Sequence, residues 1–212
     1  VPRPDRLVVA VGTATDVGKT WVGAEVLRRL RADGRAVGAS KPVQSFAPGA
    51  GPTDAEVLAA ATGEQPREVC PPGRWYPVAM APPMAAEVLG RPPFAMADLV
   101  AEVDWPVATS VGWVETVGGP RSPIAADGDS AALAAAVEPD LVVLVADAGL
   151  GAINAVMLCV PVVPGPVVVI LNRFDGSDLH RRNRQWLISA GVDVVVGVDE
   201  VAARLGRATR RS

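Results

Sequence analysis

Nine residues near the N-terminus, Gly12-Thr13-Ala14-Thr15-Asp16-Val17-Gly18-Lys19-Thr20, restrict the fold more than any other part of this chain. An apolar run at residues 7–11 precedes them, and Val22, Val26 and Leu30 follow at helical spacing. A strand, a glycine-bearing turn ending in Gly-Lys-Thr and then a helix form the context of a phosphate-binding loop. Such a turn aims successive backbone N–H groups at one anion, and the helix N-terminus adds unpaired donors and its positive dipole end. Gly18 leaves room for close approach, Lys19 neutralises β- and γ-phosphates, and the Thr20 hydroxyl is a ligand for Mg²⁺. The spacing departs from the usual pattern: five residues, not four, lie between Gly12 and Gly18, and Thr13 stands where the first glycine is expected. The competing reading is a strand–helix turn that binds nothing.

Downstream, short apolar runs alternate with helical segments. Strands are predicted at residues 7–11, 36–40, 111–114, 141–146, 167–171 and 192–196. Helices are predicted at 19–33, 54–62, 84–89, 96–103, 130–137, 178–190 and from about 199, with a proline-rich connector at 65–83. The runs at 141–146 and 167–171 are continuously apolar and too short for helices, as central parallel strands are. The alternation predicts an α/β layered fold with a mainly parallel sheet, and with the phosphate-loop motif the chain reads as one P-loop NTPase-like domain over residues 1–212. Ligands in that architecture lie beyond the carboxyl ends of the strands. Three polar clusters fall there: residues 13–20, 41–45 and 115–119.

Composition narrows the function. A net charge of −3 and a pI near 5.2 give no general attraction to nucleic acid. Arg204, Arg207, Arg210 and Arg211 are read as a solvated helix end or tail. Cys70 and Cys159 lack metal-ligand spacing, which suits a reducing compartment, and the single histidine, His180, is expected to be an exposed helix residue. Residues 148–172 carry no formal charge, but their glycines and prolines break any spanning helix, so two shorter buried segments are expected. The expectation is a cytoplasmic protein with no membrane partner.

Taken singly, Asp54 before its helix and Glu115 after its strand read as surface acids, and Lys41 stands even between a surface charge and a second cation in the crevice. Taken with Thr20, the two acids supply the oxygen ligands that Mg²⁺ prefers.

The loop, followed by Ser40-Lys41-Pro42-Val43-Gln44-Ser45, resembles the dethiobiotin synthetase family. The similarity runs in order from Val8 to about Asn172, and Met80-Ala81-Pro82-Pro83-Met84 fits it. It implies ATP- and Mg²⁺-dependent closure of the ureido ring of a biotin precursor from 7,8-diaminononanoate and CO₂, in a homodimer. On this resemblance Thr13, Ala14, Thr15, Asp16, Val17 and Gly18 join Lys19 and Thr20 in holding the nucleotide, with Glu115 beside it and Asn172 reading the base. Catalytic roles fall to Lys19, Lys41 and Thr15. Lys41, Ser45 and Gly118 face substrate, and Leu150, Gly151 and Asn154 receive its carboxylate tail across the dimer interface. Thr20, Asp54 and Glu115 hold the metal.

Three departures stand out. Thr116 and Val117 replace small residues of the family's Glu-Gly-Ala-Gly-Gly, which is expected to narrow the pocket or change the diamine accepted. Residues 159–166 are short and proline-broken where the family packs a longer helix, and no base-contacting loop is recognisable at 197–199. The rival readings are a related ligase acting on another amine and a P-loop ATPase switch or partitioning factor.

Overall fold

The computed structural model describes residues 3–206. Its strands are β1 (Arg6–Gly12), β2 (Val37–Ser40), β3 (Gln44–Ser45), β4 (Trp75–Tyr76), β5 (Val111–Glu115), β6 (Pro123–Ala125), β7 (Gly128–Asp129), β8 (Leu141–Asp147), β9 (Val167–Asn172) and β10 (Val194–Val195). Its α-helices are α1 (Lys19–Ala32), α2 (Asp54–Thr62), α3 (Pro66–Val69), α4 (Pro82–Val88), α5 (Met96–Ala101), α6 (Ser130–Ala136), α7 (Ala152–Cys159), α8 (Asp178–Ser189) and α9 (Val198–Gly206). Six strands form one parallel sheet in the order β10-β9-β8-β1-β5-β2. The α/β fold with a parallel sheet expected from the alternation, and its P-loop NTPase-like form expected from the loop, are observed.

The two faces of the sheet separate by residue parity, as the period of a strand requires. Val8 and Ala10 of β1 join Trp113, Val143, Val168 and Ile170 in a core under α1, α2 and α9. Leu7, Val9 and Val11 join Val114, Val142, Leu144, Val169 and Leu171 in the opposite core, closed by α7 and α8. A third cluster, with Val43, Tyr76, Phe94, Leu99 and Ile124, lies under β3, β4, α4 and the β6–β7 pair. No helix among the described residues is long and apolar enough to cross a membrane.

Helix α1 crosses Trp113 of β5 so closely that a Cβ on Gly23 would lie 2.6 Å from Trp113 Nε1. Trp113 is fully buried and cannot yield. Gly23→Ala is therefore expected to lose about 1–3 kcal/mol of stability through overpacking. Urea unfolding with an unchanged slope and a lower midpoint is the result that checks it; an unchanged midpoint would show that the helix shifts freely.

The connector at 65–83 is not featureless. Pro66 at the first helical position and the Gln65–Glu68 capping box start α3, a 3-10 turn spans Pro72–Arg74, and β4 pairs in parallel with β3. The β6–β7 hairpin turns at Ala126-Asp127, with Gly128 opening β7, a feature the strand-and-helix pattern passes over. Helix α7 ends at Cys159 and a 3-10 turn at Val160–Val162, holding Pro161, carries the chain to β9.

His180 corrects an expectation. It packs rather than projects: its side chain is 13% exposed, its Nδ1 lies 2.8 Å from Asp175 Oδ1, and its ring meets Phe174. Arg204 pairs with Asp193 on the surface, while Arg207, Arg210 and Arg211 lie outside the described residues.

Candidate active site

The carboxyl ends of β1, β2 and β5 are neighbours in the sheet, so the loops after them meet. The first loop is held by its glycines. A Cβ on Gly12 would lie within 2.9 Å of Lys19 Nζ, Gly118 O and the Ala14 carbonyl oxygen, because Lys19 folds back along the loop. Lys19 Nζ donates to the Ala14 carbonyl at 3.2 Å. Position 12 thus does the work of a loop glycine even though the spacing is one residue long. Gly18 has φ 92°, and a Cβ there would lie 2.2 Å from Asn172 Nδ2.

Helix α1 begins without a side-chain cap and without an acidic residue in its first turn. By contrast α2, α6 and α8 are capped by Thr53, Asp129 and Ser177. The first helical bond of α1 runs from Val22 N–H to Gly18 O, so the N–H groups of Lys19, Thr20 and Trp21 precede it. An uncapped helix end with a buried lysine beside it is electrostatically complementary to a phosphate.

Beyond the loop lies a compact polar cluster. Lys41, 2% exposed, places Nζ 2.7 Å from Asp54 Oδ2, 2.7 Å from Glu115 Oε1 and 3.1 Å from the Thr116 carbonyl oxygen. The Thr20 hydroxyl lies 2.8 Å from both Asp54 Oδ1 and Glu115 Oε1. It has one proton for two carboxylates. Glu115 is fully buried, and its Oε2 has no hydrogen-bond partner among the described residues. A hydroxyl and two carboxylates with an unsatisfied buried oxygen fit a hard divalent cation. Among the described residues no group of three or more His, Cys, Asp or Glu is placed to hold a metal, so the threonine is part of any such set.

Charges in this cluster are strongly coupled. Burial pushes Lys41 towards the neutral amine, but Asp54 and Glu115 together outweigh it and hold the ammonium above the usual lysine range. Burial, aided by repulsion from Lys41, lowers the pKa of Lys19. Asp54 is desolvated too, yet attraction to Lys41 wins and keeps it below the ordinary carboxylate value. Glu115 goes the other way: full burial, with repulsion from Asp54, raises its pKa despite Lys41.

Other residues read from the sequence fall around this centre. Thr15 Oγ1 stands beside Gly118, 3.6 Å from where a Cβ there would be. Thr13 is partly buried, Ala14, Thr15 and Asp16 are exposed, and Val17 is buried. Ser45 donates its hydroxyl proton to the Met80 carbonyl at 2.5 Å, which ties the 41–45 loop to the Met80–Met84 segment. Asn172, 7% exposed, donates from Nδ2 to the Val17 carbonyl at 2.9 Å. Leu150, Gly151 and Asn154 stand apart at the exposed start of α7, with Leu150 93% exposed.

Thr116 corrects the expectation of a narrowed pocket. Its Oγ1 donates to the Ala10 carbonyl at 3.0 Å, so the side chain is turned into the end of the sheet and is fully buried. Val117 packs against the third core cluster. Two residues escaped the sequence reading. Arg173 bridges the Asp16 carbonyl and Asp147 Oδ2, both at 2.7 Å, and so links the phosphate loop to the segment before α7. Gln44 reaches the start of α2. Gln44 lies in the 40–45 segment that carries the resemblance but has no role assigned by it, and Arg173 acts across 26 and 157 residues of chain.

A family model described as an AAA domain matches residues 6–200. Over 155 residues the chain is 36% identical to the ATP-dependent dethiobiotin synthetase of Methylobacterium nodulans, covering 68% of this chain and 68% of that one. Over 179 residues it is 34% identical to the protein of the same name from Anaeromyxobacter dehalogenans, covering 82% of this chain and 79% of that one. Chloroplast FtsY from Physcomitrella patens matches with a TM-score of 0.52 at 18% identity, over 98% of this chain and 67% of that one, a likeness of fold alone.

Proposed function

The chain belongs to the ATP-dependent dethiobiotin synthetase family, and on that premise we propose that it carboxylates and cyclises 7,8-diaminononanoate with CO₂ and ATP, releasing dethiobiotin, ADP and phosphate. The observation that carries the reading is Lys41: a buried ammonium beside the phosphate loop, wedged between two carboxylates that also meet Thr20. A nucleotide switch has no use for such a lysine, whereas an anionic carbamate does.

One amine of the substrate adds to CO₂, losing a proton, to give a carbamate. A carbamate oxygen attacks the γ-phosphorus of ATP, ADP leaves, and a carbamic–phosphoric mixed anhydride forms. The second amine attacks its carbonyl carbon, phosphate departs, and the ring is closed. Little of this needs a protein nucleophile; it needs positioning and charge stabilisation. Lys19 and the α1 N-terminus hold the phosphates, and Lys41 together with Ser45, Thr15 and Gly118 holds the carbamate end. Thr20, Asp54 and Glu115 are the residues that would hold Mg²⁺, and the ion would supply charge neutralisation for phosphoryl transfer. Asn172 reads the base beside the loop it supports.

We also read residues 1–212 as one domain and the protein as a cytoplasmic homodimer. The exposed Leu150 and Leu158, at 93% and 67%, support a partner over α7, where Leu150, Gly151 and Asn154 would meet the substrate's carboxylate. The free, buried Cys70 and Cys159 suit a reducing compartment.

The test is direct. Purified protein is mixed with ATP, Mg²⁺, bicarbonate and 7,8-diaminononanoate, and dethiobiotin is sought by mass spectrometry. Product is expected, and Lys19→Ala should cut its rate by about 10²–10³. ATP hydrolysis indifferent to any diamine would overturn the reading in favour of a switch. ATP use coupled to another amine would replace the substrate but keep the chemistry.

A further inference from the structure

Asp54 is carried on α2, a helix that does not belong to the strand ends on which Lys41 and Glu115 stand. Its carboxylate nonetheless has to reach Thr20 and Lys41 together. We propose that Gln44 is a positioning residue for this reaction, fixing α2 and therefore Asp54 to the loop that carries Lys41; the proposal rests on the reading of Asp54 as a metal ligand.

Gln44 is 1% exposed and follows Lys41 by three residues. Its Oε1 accepts the Ala55 N–H at 3.0 Å. Ala55 directly follows Asp54, so the bond lies one peptide from the carboxylate that meets Thr20 and Lys41. An N–H in the first turn of a helix has no partner within the helix, and a rigid acceptor from another element fixes where that turn lies.

Helix α2 does not need this bond as a cap. Thr53 and Glu56 already form a reciprocal capping box, with Thr53 N–H donating to Glu56 Oε2 at 2.6 Å and Glu56 N–H to Thr53 Oγ1 at 3.3 Å. That box moves with the helix and sets nothing about its place. Gln44 reaches across from β3, and its bond does set the place.

The other end of the carboxamide supports the same reading. Gln44 Nε2 is buried and has no acceptor among the described residues. An unpaired buried donor lowers stability, and an apolar side chain of the same length would avoid it. Gln44 thus stands where its oxygen serves the site at some expense to the fold, a pattern expected of functional positions.

The experiment compares Gln44→Met with Thr53→Ala, which removes the local cap of the same helix. Mn²⁺ binding to the complex with a non-hydrolysable ATP analogue is read by electron paramagnetic resonance, with metal-free nucleotide affinity and Tm measured alongside. Gln44→Met is expected to weaken Mn²⁺ about 10–100-fold, the range for residues that orient a metal ligand, with nucleotide affinity unchanged. Thr53→Ala should lower Tm and leave Mn²⁺ affinity as in the wild type, and Gln44→Glu, which keeps an acceptor oxygen, should recover most of the loss. Equal weakening by Gln44→Met and Thr53→Ala, or none by Gln44→Met, overturns the proposal. So does a wild-type complex that holds no Mn²⁺. Hydrogen exchange at the Ala55 amide of the wild type needs no variant: protection matching the middle of α2 is expected, and free exchange overturns the bond. None of these readings requires product, so an absence of dethiobiotin would sink the reaction and leave this comparison standing.

Discussion

Replacing Lys41 by methionine is expected to abolish dethiobiotin formation and to unsettle the fold at the same time. The ammonium is the shared counter-charge of Asp54 and Glu115, and methionine fills its volume without its charge. Removing one partner of a buried ion pair costs about 3–5 kcal/mol, and Asp54 keeps enough contact with water to favour the lower end. The pH dependence identifies the cause. Lys41 has a folded pKa above its unfolded value, so its contribution is complete below about pH 10 and fades as pH rises through the folded value. Asp54 has a depressed folded pKa, so its contribution is complete above about pH 4 and fades as pH falls through the folded value. The stability gap between wild type and Lys41→Met should form a plateau across neutral pH and shrink in both directions. Urea unfolding across that range checks it. A gap that does not vary with pH would mean that lost packing, not lost charge, is responsible.

Glu115→Gln is expected to separate function from stability. The buried Glu115 has a raised pKa, so keeping it ionised costs the folded state stability, a cost that grows as pH rises from about 4 through its folded value. Glutamine removes that cost, keeps an acceptor for Lys41, and should leave Tm unchanged or higher at neutral pH. Product formation should fall by about 10²–10³, because the carboxylate oxygen offered to the metal is gone. A variant that is stable yet active within an order of magnitude of the wild type would remove Glu115 from the site. The pair of results distinguishes two acids that look alike in the sequence: Asp54 is favoured by its surroundings, and Glu115 is held against them.

The sheet was readable because parallel strands covered on both faces are continuous apolar runs, as at Leu141–Asp147 and Val167–Asn172. The phosphate loop was readable because its chemistry is local: Gly18, Lys19 and Thr20 act together within one turn. Lys41 and Glu115 needed more: both end strands and strand ends converge, yet each alone also reads as a surface charge, and the family resemblance gave them their roles. Beyond that point the chain gives no signal. Gln44 meets Ala55, and Arg173 meets both Asp16 and Asp147, contacts set by how α2 and β9 pack. Thr116 misled for the opposite reason: its neighbours in sequence lie at the pocket, but its hydroxyl belongs to Ala10 and the sheet. His180 misled because Phe174 and Asp175, which enclose it, lie in the loop just before its helix.

The place of β1 in the sheet also orders events during synthesis. Val142 pairs with Val167 and Val169 with Val194, so the C-terminal half can assemble from contacts close along the chain. Arg6 must wait for Val111 and Val8 for Leu141, and β2 likewise waits for β5. Strand β1 is therefore completed later than the β8–β9–β10 half, and the apolar Leu7-Val8-Val9-Ala10-Val11 lacks its strand partners in the meantime. Long-range parallel pairing of this kind is slow and invites misassociation. The nucleotide loop hangs from that strand, so its place is set only once β5 and β8 have paired with β1, and ligand capture then stabilises the closed sheet.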